Sequence, residues 1–71
     1  MIGILFNFID AVGWEDNVFE IWMKNGTGYR HYGVPRERYE AFFANSAFGK
    51  NYSSIKRDFP APEKFPIAPR Q

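Results

Sequence analysis

Val18-Phe19-Glu20-Ile21-Trp22-Met23, then Lys24-Asn25-Gly26, then Thr27-Gly28-Tyr29-Arg30-His31-Tyr32, and finally Gly33-Val34-Pro35 form the stretch on which the fold turns. Side chains alternate between the two faces of a strand, so Phe19, Ile21 and Met23 share one face while Val18, Glu20 and Trp22 share the other. That pattern predicts a half-buried strand over 18–23. Asn25-Gly26 supplies the positive φ that a two-residue type I′ hairpin requires, so the chain is expected to reverse there and continue as a strand over 27–32. Pro35 suits the first turn of a helix, where its missing N–H costs nothing, and Glu37 complements the positive end of the helix dipole.

Working outward, Ile4 to Val12 is mostly apolar and β-prone, and Gly13 with Glu15-Asp16-Asn17 breaks the run as a turn does. A first strand is expected over 4–12, giving a three-stranded antiparallel meander with the two strands above. The main helix is expected over 35–45, with Tyr39, Phe42 and Phe43 as its apolar stripe against the sheet. Gly49 is expected to end or kink the path, and a short second helix to follow over 51–57 with Tyr52, Ile55 and Lys56-Arg57. Pro60, Pro62, Pro66 and Pro69 then deny regular hydrogen bonding and favour an extended polyproline-like tail, lying free or docked on a partner. The expected fold class is therefore α+β, with one domain over 1–59 and a proline-rich tail over 60–71.

A domain of 71 residues buries only about 60% of its unfolded surface, which leaves stability marginal. Cysteine is absent and His31 is the single histidine, so disulfides, thiolate metal sites and histidine-rich metal sites are excluded. Oligomerisation is the natural supplement, and an aromatic content of 20% offers more apolar area than so small an interior hides; a homo-oligomer is expected. The net charge of +1 is far from the strongly basic balance of a protein that lives on duplex DNA. No apolar run reaches the roughly 20 residues needed to span a bilayer, and Met1-Ile2-Gly3-Ile4-Leu5-Phe6 lacks the basic start of a signal peptide. The expected setting is cytoplasmic, with no membrane and no cofactor.

Catalysis needs a nucleophile, base or metal tuned by a second group. Ser46, Ser53, Ser54, His31, Asp10, Asp16 and Asp58 are present, but no nucleophile elbow or glycine-rich phosphate loop surrounds them. Gly26-Thr27-Gly28 is accounted for by turn geometry, and Glu15-Asp16-Asn17 lacks the rest of a calcium loop. An enzyme is not expected, and His31 on the sheet is read as a packing residue. The set with more content is basic and aromatic: Tyr29, Arg30 and Tyr32 near the end of a strand, Arg36 at the helix start, and Lys50, Lys56 and Arg57 further on. Brought together, they would supply guanidinium groups for phosphate and ring faces for stacking a base. Individually each has a plain account, Tyr29 in the core and Lys56-Arg57 at a helix end where positive charge is favoured. Trp22 falls on the face opposite the core and is read as an interface anchor, joined by Phe65 and Ile67 of the tail; Trp14 is an interface residue, core plug or ligand platform.

From Phe8 to Phe59 the chain resembles the KTSC domain, a small module named for the C-terminus of some lysyl-tRNA synthetases and also found free-standing. The resemblance rests on the alternating Phe19, Ile21 and Met23, the Asn25-Gly26 turn, Tyr29 with His31 in place of the family's second aromatic, and Val34-Pro35. Ser46, Ile55, Lys56 and Phe59 keep the later spacing, while Gly49 falls one place late. The association with a synthetase implies contact with RNA, by analogy. Two functions are therefore carried forward. One is non-catalytic binding of a phosphate-bearing ligand, a nucleotide signal or short single-stranded RNA, a phage-type protein that sequesters a nucleotide being a concrete version. The other is a protein–protein interaction module, an adaptor or inhibitor, working through exposed aromatics.

Overall fold

The computed structural model describes residues 1–4 and 6–67. Among these it is an α+β domain with a five-stranded antiparallel sheet and two helices. The strands are β1 (Ile2–Gly3), β2 (Ile9–Glu15), β3 (Val18–Met23), β4 (Thr27–Tyr32) and β5 (Glu63–Pro66), adjacent in chain order. The helices α1 (Arg36–Phe42) and α2 (Phe48–Asp58) lie between β4 and β5 in sequence.

β3 and β4 occupy the residues that the alternation predicts. Their hairpin differs in its turn. Gly26 has φ 88° while Asn25 does not enter the positive region, and the Gly26 N–H donates to the Met23 carbonyl at 3.1 Å. This is a three-residue loop with glycine in the left-handed position, and Asn25 spends its side-chain oxygen on the Thr27 N–H at 3.0 Å. The two-residue turn with both residues at positive φ is at Asp16 (φ 51°) and Asn17 (φ 64°), joining β2 to β3. The Asn17 carbonyl then accepts the Val34 N–H at 2.9 Å, which ties the approach to α1 to that turn.

The single strand expected over 4–12 is instead two. Ile2 and Gly3 pair with Val12 and Ala11, and β2 runs on through Gly13 and Trp14 to Glu15. An irregularity between Ile9 and Ala11 sets two residues of β2 against one step of β3. The extra residue shifts the alternation, so Ile9 and Val12, three apart, are both fully buried. Gly13 does not break the strand; a Cβ there would lie 2.6 Å from the Met1 sulfur, so its lack of a side chain makes room for the N-terminal residue.

The helices cover one face. Phe19 is at the centre of the core, its ring 5.5 Å from Phe42, 5.9 Å from Tyr39 and 6.4 Å from both His31 and Tyr52. α1 is shorter than expected and α2, at 11 residues, is the main helix. Pro35 stands just before α1 with ψ 160°, and Phe43, expected in the apolar stripe, remains 37% exposed. Gly49 sits in the first turn of α2 rather than ending a path, because its bare Cα meets the Phe6 ring, 3.1 Å from where a Cβ would be. Asn51 joins the helices by donating to the Phe42 carbonyl at 2.9 Å.

The tail is corrected most. Residues 63–66 pair with β4 in the register Arg30↔Glu63, Tyr29↔Lys64, Gly28↔Phe65 and Thr27↔Pro66, and the Ile67 N–H donates to the Gly26 carbonyl at 2.9 Å. A proline is tolerated here because β5 is an edge strand, with no neighbour beyond it among the described residues to need the missing N–H. Pro69 lies outside the described residues. Among the described residues no helix is long and apolar enough to cross a membrane.

Candidate binding face of the sheet

With Phe19, Ile21, Tyr29 and His31 turned toward the helices, the alternating residues lie on the other face, which neither α1 nor α2 covers. Registers place them in two cross-strand rows. One runs Gly3, Ala11, Trp22, Gly28, Phe65; the next runs Gly13, Glu20, Arg30, Glu63. In the first row the large rings stand beside residues with little or no side chain. A Cβ on Gly28 would run into the Phe65 ring, so glycine is what lets that ring lie flat on β4. The Arg30 guanidinium covers the same ring at 4.1 Å from its centre.

The second row alternates in charge. Arg30 donates to Glu20 at 2.8 Å and to Glu63 at 3.4 Å. The other oxygen of Glu20 accepts the Trp22 indole N–H at 2.6 Å, and the Tyr32 hydroxyl donates to Glu63. The Glu20 carboxylate raises the Arg30 pKa. Tyr32 first and Arg30 second lower that of Glu63, and Glu63 in turn raises that of Tyr32. Solvent screens these groups, so their value lies in fixing geometry rather than in stability. Beside them an open depression of about 610 Å³ extends to the β2–β3 turn, where Glu15 and Asp16 add further negative charge.

The residues expected to form a phosphate patch are placed apart. Tyr29 alternates onto the helix side, away from its neighbours Arg30 and Tyr32 on the open face. Arg36 pairs with Glu40 in α1 at 3.3 Å, and Arg57 pairs with Asp58 at 3.1 Å. Lys56 lies over the Tyr52 ring at 5.6 Å, on α2, and Lys50 is exposed at the start of that helix. The sheet itself stands between the helix-borne cations and Arg30.

Of the expected interface residues, Trp22 and Phe65 share the open face in one cross-strand row, on either side of Gly28, and Ile67 continues the alternation from Phe65. Trp14 is on the other side: its indole stacks on Tyr39 at 6.2 Å and donates to the Val34 carbonyl at 2.7 Å. That hydrogen bond and stack pack it, half-buried, against the core, and it also lines the open depression. Glu20 and Glu63 complete the face and were not among the expected site residues. Glu20 could have been found, since it shares the outer face with Trp22 by alternation; Glu63 is 33 residues from Arg30 and carries no local signal. A scan against models of known protein families found no match for this chain, and no curated protein matched it at a significant level.

Proposed function

We propose that this domain is a non-catalytic protein-interaction module that docks a partner on the uncovered face of its sheet. The observation that carries the reading is the placing of Trp22 and Phe65 in one row, on either side of Gly28, beside the Glu20–Arg30–Glu63 row. Half-buried rings seated on small residues give large contact area with few rotors left to freeze. Two carboxylates around one guanidinium, with Glu15 and Asp16 nearby, make the surroundings negative. The partner is therefore an apolar segment flanked by lysine or arginine, and charge complementarity sets its orientation. An aromatic strip with that rim repels a phosphate.

A second reading keeps the phosphate-bearing ligand, and with it the resemblance to the KTSC domain and its RNA association. It is favoured by Lys50 and Lys56, neither of which has a carboxylate partner among the described residues. On this reading α2, not the open face, holds the ligand.

Titration with a leucine-containing peptide flanked by lysines, and separately with oligouridylate, distinguishes the two. Trp22→Ala is expected to weaken the peptide about 30-fold, the scale of a 2 kcal/mol hot spot, and Arg57→Ala to leave it nearly unchanged. Oligouridylate binding that falls steeply with salt and with Lys50→Ala or Lys56→Ala, in the absence of peptide binding, would replace the first reading with the second.

A further inference from the structure

β5 reaches β4 through residues 59–62, and this connection is at odds with its own sequence. Ala61 has φ 60°, in the left-handed region that an alanine side chain disfavours. Its neighbour Pro62 makes matters worse, because a residue before proline is driven toward extended or polyproline II geometry. Pro60 fixes its own φ and restricts Phe59 before it, so the chain on the other side of Ala61 is stiff as well. In the extended form that Pro60-Ala61-Pro62 prefers, the hinge relaxes and carries β5 away from its own β4.

What β5 leaves behind is a specific seat. Gly28 leaves the space for the Phe65 ring, Arg30 covers that ring and binds Glu63, and Tyr32 donates to the same carboxylate. The free N–H and C=O groups of an uncovered β4 edge would also need a strand. The ligand that fits all of these at once is a second copy of 63–66, since it brings the glutamate and the phenylalanine in the required register.

We propose that β5 is exchanged between two copies of this chain. Each open face is then completed by the partner's Glu63 and the partner's Phe65, with both hinges extended. The same strand pairing is made in the exchanged dimer as in the closed monomer, so the hinge strain decides between them. The exchange stands whatever the open face binds, because it concerns how that face is built.

Charge reversal across the Arg30–Glu63 pair tests it. Arg30→Glu sets three carboxylates side by side on one chain, and Glu63→Arg sets two guanidinium groups against each other. Each variant repels its own β5 and that of an identical copy. Refolded together from denaturant, the two can form a dimer in which the carboxylate introduced on β4 of one chain faces the guanidinium introduced on β5 of the other, while the wild-type pair forms at the second site. Native mass spectrometry is expected to show the wild-type chain as a dimer and the mixture as a heterodimer in excess over both homodimers. Adding Phe65→Ala to both chains should abolish it. Ala61→Gly, which removes the cost of positive φ in the closed hinge, should raise the wild-type dissociation constant at least about tenfold. A monomeric wild-type chain, a mixture that stays as monomers or pairs in statistical proportion, or a dimer indifferent to Ala61→Gly would each overturn the exchange.

Discussion

Phe19→Ala is expected to remove roughly a third or more of the folding stability of this chain. Phe19 is fully buried, and its ring touches β4, α1 and α2 together through His31, Tyr39, Phe42 and Tyr52. Deleting it removes the contact that those elements have in common. Truncating a buried phenylalanine costs about 3–5 kcal/mol, because the cavity left behind collapses only in part. A domain of 71 residues has, at roughly 0.05–0.15 kcal/mol per residue, about 4–11 kcal/mol in all. The substitution thus removes a large share of the total. Phe43→Ala is the matched comparison, since Phe43 is 37% exposed at the edge of the same cluster and should cost less than about 1.5 kcal/mol. Urea unfolding followed by circular dichroism would show Phe19→Ala with no native baseline or a midpoint far below that of Phe43→Ala. Equal midpoints would mean that the helices are held to the sheet by something other than this ring.

How much of this was legible depends on whether local pattern and tertiary contact agree. β3 and β4 were, because Phe19 and Ile21 alternate with Glu20 and Trp22 without interruption and a turn signal follows. The reversal at Asn25-Gly26 was legible but its type was not, since Asn25 puts its side chain to work on Thr27 instead of adopting positive φ. β2 was blurred by the irregularity at Ile9–Ala11, which moves the alternation by one residue inside a uniformly apolar run. β5 was hidden by Pro60, Pro62 and Pro66, which read locally as a reason not to form a strand. It forms because an edge strand needs N–H groups on one side only, and Gly28 offers a seat that local sequence does not announce. The site followed the same division. Trp22 was placed on the outer face by periodicity, whereas the neutralisation of Arg30 by Glu63 required knowing that the chain returns to β4 after 33 residues.

The open face also explains why small residues are spent where they are. Trp22 is flanked in register by Ala11 and Gly28, and Gly28 by Phe65. Bulk on one strand is matched by its absence on the next, so the rings lie along the sheet instead of filling an interior, with the Phe65 ring between Gly28 and the Arg30 guanidinium. The core on the helix side is built the opposite way, with large rings meeting one another around Phe19. One sheet thus serves two surfaces of different composition, which alternation along β3 and β4 makes possible without any additional chain.

Acid is expected to destabilise the fold through His31 before Asp58 and Glu63 titrate. The imidazole is fully buried, with Nδ1 at 2.7 Å from the Phe59 carbonyl and Nε2 at 2.9 Å from the Tyr52 hydroxyl. A carbonyl only accepts, so Nδ1 carries the proton and donates, and Nε2 accepts from the Tyr52 O–H. This neutral tautomer ties β4 to both the middle and the end of α2. Adding a second proton makes Nε2 a donor, and the tyrosine must turn its hydroxyl hydrogen toward apolar surroundings. Burial lowers the His31 pKa, with the positive charge of Lys56 acting the same way against the opposing effect of the Phe59 carbonyl; burial pushes Tyr52 up to about 12. The unfolded chain takes up its proton near pH 6.5, while the folded chain does so only at lower pH. The stabilisation is therefore complete above about pH 6.5 and is lost as pH falls from there to the folded pKa, by at most about 1.4 kcal/mol per pH unit. Asp58, held down by Arg57 and Arg38, and Glu63, held down by Tyr32 and Arg30, lose their contributions only from the ordinary carboxylate range downward. Between about pH 7.5 and pH 5.5 the decline thus belongs to the histidine. His31→Phe should be less stable at the upper pH by about 1–3 kcal/mol, since it leaves the Tyr52 hydroxyl and the Phe59 carbonyl without their partner, yet its stability should barely change across the window. Urea midpoints at the two pH values for both chains give the answer: a wild-type midpoint that does not fall on acidification, or a variant that falls in parallel with it, would remove His31 as the acid-sensitive link between sheet and helix.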